Sequence, residues 1–166
     1  MRIMGIDPGT ATVGFGVIDW LGINDMRCIA AGVISTSKSL TAGQRLVIIR
    51  SDLLSLIEKY EPDVMAVEAI FFFKNAKTLV PVSQARGVIL EAIASAGIKV
   101  AEYTPQQVKL NLTGFGRAEK REIQEMVARL LNHESVIKPD DAADALAIAI
   151  CHARMGLVGI SQPVSS

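Results

Sequence analysis

Apolar residues fall in short dense runs at the start of the chain and at helical spacing further along. That change of pattern predicts the order of elements. Residues 2–7 (Arg2-Ile3-Met4-Gly5-Ile6-Asp7) read as a strand, followed by strands from about Thr12 to Asp19 and from about Cys28 to Ser35. Pro8-Gly9 and Leu21-Gly22-Ile23-Asn24-Asp25 supply the turns between them. Leu46, Ile49, Leu53, Leu56 and Tyr60 then recur three or four apart, so they share one face of a helix, with Pro62 just past its end. A buried strand, Val64 to Glu68, comes next. A helix from about Val82 to Ala96 follows, stopped by Gly97, and then a fifth strand from Ile98 to Tyr103. Helical segments over Pro105 to Leu112 and Ala118 to Leu131 flank a loop at Thr113-Gly114-Phe115-Gly116. A last helix starts at Asp140 or Asp141 and fades near Gly156. Three strands and then alternating helix and strand predict an α/β domain over residues 1–160. Its mixed five-stranded sheet carries helices on both faces, and residues 161–166 form a frayed tail.

Four carboxylates punctuate this pattern. Asp7 and Glu68 close their strands, at the carboxyl ends where the crevice of such a sheet lies. Asp141 and Asp144 open the apolar run that ends at Ile150 and, three apart, share one helix face. A carboxylate beside a hydrophobic core is costly unless something positive meets it. Several converging there point to a hard cation such as magnesium and to metal-assisted chemistry on phosphate. Simpler roles stay open for single members: Asp7 as the cap of its turn, and Asp140 as a helix cap or outer-shell residue.

Composition narrows the classes. Half of the 166 residues are hydrophobic, enough for a sizeable core and against disorder. No apolar run reaches the ~18 residues of a membrane helix, and the first residues enter a strand pattern without a signal peptide, so a cytoplasmic location is expected. Cys28 and Cys151 lack metal spacing and read as buried free thiols. His133 and His152 also fit no metal spacing and read as structural or solvated. The formal net charge is zero, which by itself argues against nucleic-acid binding. Yet residues 69–118 carry Lys74, Lys77, Arg86, Lys99, Lys109 and Arg117 against only Glu91 and Glu102. That basic stretch is either a solvated face or a polyanion-binding one.

Seven segments, in order, make the reading specific. They are Gly5-Ile6-Asp7-Pro8-Gly9, Val67-Glu68, Lys74-Asn75-Ala76, Gln84-Ala85-Arg86-Gly87-Val88, Gln107-Val108-Lys109, Ala118-Glu119-Lys120 and the run from Asp141 to Ile150. The chain resembles RuvC-type Holliday-junction resolvases, bacterial endonucleases with a ribonuclease H-like fold. The resemblance implies that Asp7, Glu68, Asp141 and Asp144 hold two magnesium ions per subunit, with manganese as a substitute. It places Lys109 and Lys120 beside the active site as charge stabilisers. Phe71 has the spacing of the family's base-stacking aromatic, and Phe72 and Phe73 adjoin it; core or subunit-interface packing is the other reading of that run. Lys74, Arg86 and Arg117 complete the expected DNA contacts, with Lys109 and Lys120 serving in both roles. Val80-Pro81-Val82 departs from the family, where a helix tends to continue, and predicts a later helix start and a displaced loop after Phe73.

The activity so implied is paired, symmetric nicking of four-way DNA junctions in recombination and repair, leaving 5′-phosphate and 3′-hydroxyl ends. Also implied are a homodimer and a branch-migration complex of RuvA and RuvB type as partner. The helix bearing Gln84 to Leu90 is the expected dimer interface, with small Ala85, Gly87 and Ala92 allowing close approach. Two alternatives remain at this point: a non-catalytic junction-binding module, and an actin-like or sugar-kinase ATPase lobe, whose members share the Asp-x-Gly turn.

Overall fold

A computed structural model describes residues 1–22, 25–69 and 76–159. Its strands are β1 (Arg2–Asp7), β2 (Thr12–Gly22), β3 (Asp25–Ser35), β4 (Val64–Glu68) and β5 (Lys99–Tyr103). Its helices are α1 (Ala42–Tyr60), α2 (Ala76–Ser95), α3 (Pro105–Thr113), α4 (Lys120–Leu130) and α5 (Asp140–Gly159). The five strands form one mixed sheet in the order β3-β2-β1-β4-β5. The first three pair antiparallel through their turns. β4 and β5, reached by the crossover helices α1 and α2, run parallel to β1.

Strand alternation sorts the core into two layers. Ile3, Ile18, Val64 and Ala66 point to one face, where α3, α4 and α5 cover them. Met4, Ile6, Val17, Met65 and Val67 point to the other, under Ile49, Leu53 and Ile57 of α1 and Ala85, Ile89 and Ile93 of α2. The predicted helical face of α1 is thus the buried one. α1 begins at Ala42 because Thr41 caps it: the Thr41 Oγ1 accepts from the Gln44 N–H at 3.3 Å, and the Gln44 Oε1 accepts from the Thr41 N–H at 2.9 Å.

Three expectations need correction. β2 and β3 run further than expected, to Gly22 and from Asp25, which pair with each other, so the hairpin strands are longer. α2 does not start late: it begins at Ala76 and carries Pro81 inside it. Proline's missing N–H removes one bond, to the carbonyl four residues back in the opening turn. The packed residues beyond it, Ala85, Ile89, Ala92 and Ile93, carry the helix. Finally, Ala85 and Ala92 are fully buried in this chain's own core, so of the three small residues expected at a subunit interface only Gly87 faces outward. Cys28 and Cys151 are free thiols, as expected, and burial pushes the Cys151 pKa up to about 12. No helix among the described residues is long and apolar enough to cross a membrane.

Candidate metal centre

Asp7 and Glu68 end adjacent parallel strands, one residue beyond the paired Ile6 and Val67. Period-two alternation puts Asp7 on the face of Ile3 and Gly5, and Glu68 on the face of Val64 and Ala66. Both therefore point to the side that α5 covers. What brings α5 to them is a set of absent side chains. A Cβ on Gly5 would lie 2.0 Å from the Ala145 carbonyl oxygen and 2.8 Å from the Ala149 nitrogen. One on Gly14 would lie 2.0 Å from the Asp141 carbonyl oxygen, and one on Gly16 2.6 Å from the Leu146 Cγ. Gly14 is also the residue paired with Asp7 across the β1–β2 hairpin. The first turn of α5 thus rests on the strand residue beside Asp7, and only glycine allows it.

The result is a cluster. Asp7, Asp141 and Asp144, all partly buried, each offer a carboxylate oxygen within 4.8 Å of the others. An all-oxygen, all-anionic donor set suits a hard divalent cation. Positive charge already meets it. The Lys120 Nζ, at the start of α4, donates to the Asp144 Oδ2 at 3.0 Å and lies 3.5 Å from the Asp140 Oδ2. The bond to Asp144 raises the Lys120 pKa, with the charges of Asp144 and Asp140 adding to it. Asp140 is the first residue of α5 and not its cap, since the Ala142 and Ala143 N–H groups bond to the Pro139 carbonyl. It takes Lys138 at 2.6 Å, a bond that lowers its pKa.

Glu68 is not within the three-aspartate distance set. It lines the adjoining cleft of about 340 Å³ together with Asp144, Lys109 and Lys120, over a floor that includes Val108, Ile123 and Ile148. One cleft therefore joins the fourth acid and both lysines to the cluster. Arg117 is exposed in the turn between α3 and α4. Arg86 points from α2 to β5, where its guanidinium is paired with Glu102. Phe71, Phe73 and Lys74 lie outside the described residues, as does Phe72.

Two residues of this face were not predicted. Tyr103 stands in register opposite Glu68, and its carbonyl accepts from the Ala69 N–H at 2.8 Å. Its hydroxyl lies 2.7 Å from the Nδ1 of His152, two turns beyond Asp144 on α5. Burial lowers the His152 pKa and raises that of Tyr103, which favours the uncharged form of both partners. This contact ties the strand end that carries Glu68 to the helix that carries Asp141 and Asp144.

A family model described as "Crossover junction endodeoxyribonuclease RuvC" matches residues 3–152. The chain belongs to the RuvC family. The RuvC of Brevibacillus brevis is 52% identical over 165 residues, covering 99% of each chain. That of Fusobacterium nucleatum is 50% identical over 152 residues, 92% of this chain and 80% of the relative. Among solved structures, Thermus thermophilus RuvC in complex with Holliday junction substrate is 35% identical, with a TM-score of 0.91 over 99% of each chain. The fold is thus the ribonuclease H-like one, and the stretch that matches the family, residues 3–152, is the one along which the acids and lysines of the cleft lie. It is a match to a nuclease family, not to the ATPase lobes.

Proposed function

We propose that the chain is a structure-selective endonuclease that resolves four-way DNA junctions by paired symmetric nicks in recombination and repair. The observation that carries this reading is the convergence of Asp7, Asp141 and Asp144 at the sheet's carboxyl end, beside a cleft that joins Glu68 to Lys109 and Lys120. These four acids would hold the metal, taken as two magnesium ions per subunit with manganese as a substitute. Bound there, the cations supply Lewis acidity and charge neutralisation for hydrolysis of a phosphodiester to 5′-phosphate and 3′-hydroxyl ends.

The protein's own part is positional. The glycine-seated α5 fixes Asp141 and Asp144 against Asp7, so little reorganisation remains when phosphate arrives. Lys120 holds Asp144 in place and offers its ammonium to a phosphate at the cleft mouth, and Lys109 lines the same cleft. Arg117, Phe71, Phe73, Lys74 and Arg86 are the further proposed DNA contacts. Of these, Arg86 would have to exchange Glu102 for phosphate.

Paired nicks on opposing strands call for a two-fold homodimer. The outward face of α2 available to a partner is the one bearing Ser83, Gly87 and Ala94. A cytoplasmic location and a RuvA- and RuvB-type branch-migration partner complete the proposal.

The test is magnesium-dependent cleavage of a synthetic mobile four-way junction, each strand labelled in turn, with linear duplex as control. Paired nicks in the junction alone are expected. Asp7→Asn is expected to cut cleavage by about 10²–10³-fold or more while sparing junction binding. Equal loss of binding would assign Asp7 a structural role instead.

A further inference from the structure

The turn between the two lysine-bearing helices presents an aromatic ring to solvent. Phe115 is 62% exposed, and Leu110, on the last turns of α3, is 57% exposed. The backbone around the ring is pinned. Gly114 adopts φ 76°, and its N–H bonds to the Leu110 carbonyl at 2.8 Å, ending α3. The Thr113 hydroxyl donates to the Lys109 carbonyl at 2.8 Å and accepts from the Phe115 N–H at 3.2 Å. The Ala118 N–H bonds to the Phe115 carbonyl at 3.1 Å. A phenylalanine held outward in this way has apolar area that no part of the described chain covers.

The charge around it narrows what does. Lys120 is engaged with Asp144 and Asp140, and Arg121 with Glu125. The Glu122 carboxylate accepts from the Glu119 N–H at 2.6 Å. Among the described residues, Lys109 and Arg117, on either side of Phe115 in sequence, have no ion-pair partner. An exposed ring flanked in sequence by two cations without ion pairs, one of which (Lys109) lines the cleft that holds Glu68 and Asp144, matches a polyanion that carries flat rings. An apolar docking segment without carboxylates would cover the Leu110–Phe115 pair but leave both cations unpaired, whereas a nucleic-acid strand supplies ring and phosphate together.

We infer that Phe115 is a nucleotide-stacking position, separate from the Phe71–Phe73 run. Its ring packs on a nucleotide of the strand entering the cleft while Arg117 and Lys109 meet the neighbouring phosphates. This rests on the nuclease reading above.

The experiment measures junction affinity by fluorescence anisotropy without magnesium, for the wild-type chain and for Phe115→Ala, Phe115→Tyr and Phe115→Trp. Phe115→Ala is expected to weaken binding about tenfold. Phe115→Tyr, which keeps the ring, should stay within about twofold of wild type, and all three variants should melt within about 2 °C of it, as an exposed site requires. The indole introduced by Phe115→Trp should lose emission on saturation with junction, read against Trp20, the chain's one tryptophan. Wild-type affinity in Phe115→Ala, or an unchanged indole signal at saturation, overturns the inference. A wild-type chain that neither binds nor cleaves junctions overturns the nuclease reading and this inference together. A wild type that does both, beside an unaffected Phe115→Ala, overturns this inference alone.

Discussion

Under α1 and α2, the sheet is packed with large side chains: Met4, Ile6 and Met65 meet Ile49, Leu53, Ile89 and Ile93. Under α5, Ile3, Ile18 and Ile148 are buried too, but where the helix crosses β1 and β2 beside the acids the strands carry no side chains: Gly5 meets the backbone of Ala145 and Ala149, Gly14 that of Asp141, and Leu146 fills the space over Gly16. The first face gains stability from apolar volume removed from water. The second gives up some of that volume to bring a helix backbone against a strand backbone. Volume can be redistributed among neighbouring side chains, whereas backbone contact leaves nothing to adjust. The acids stand on the second face, where position is set most tightly, and the contrast separates what keeps the chain folded from what aims its carboxylates.

Leu53→Ala, on the volume-packed face, should produce the largest loss of stability. It is expected to cost about 2–5 kcal/mol in urea unfolding, with the cleavage rate unchanged at temperatures where the variant remains folded. A matching fall in rate would show that the two faces are not separable. Gly14→Ala should do the opposite. Its methyl meets the Asp141 carbonyl, so overpacking is expected to cost about 1–3 kcal/mol. Displacing Asp141 from Asp7 should lower cleavage by about 10²-fold, out of proportion to the stability lost.

The smallest effect concerns the Tyr103–His152 contact. Burial holds the His152 pKa below its ordinary 6.5. On acidification the unfolded chain therefore takes up this proton before the folded one does. The stabilisation is fully present above pH 6.5 and is lost as pH falls from there through the folded value. The melting temperature should drop between pH 7.5 and 5.5, and by less in His152→Gln, as scanning calorimetry would record.

The acids and the element order were legible because both are written in local pattern. Asp7 and Glu68 end apolar strands, and Asp141 and Asp144 open an apolar helix, so burial beside charge is visible before any fold is known. Lys109 and Lys120 came from resemblance, and the cleft they share with Glu68 and Asp144 depends on two helices crossing, which no spacing records. Nothing local marks Gly14 and Gly16 as seats for α5, because their partners Asp141 and Leu146 lie over a hundred residues away along the chain. His152 was read as structural or solvated; the structural half of that reading holds, but its bond to Tyr103 is a tertiary fact. The α2 start was misjudged because proline's local cost was weighed without the packing of Ile89 and Ile93.

Asp141 and Asp144 sit at the head of a helix whose body, from Ala145 to Ala153 apart from His152, is core. Many enzymes place such groups on loops that open and close at little cost. Here no small opening separates these two acids from Asp7, because freeing them means lifting α5 off β1 and β2. The amides around Asp144 to Ile150 should therefore exchange with solvent only through the chain's highest-energy openings. The cluster and the fold would then be lost in one event, leaving no folded state in which the acids are scattered.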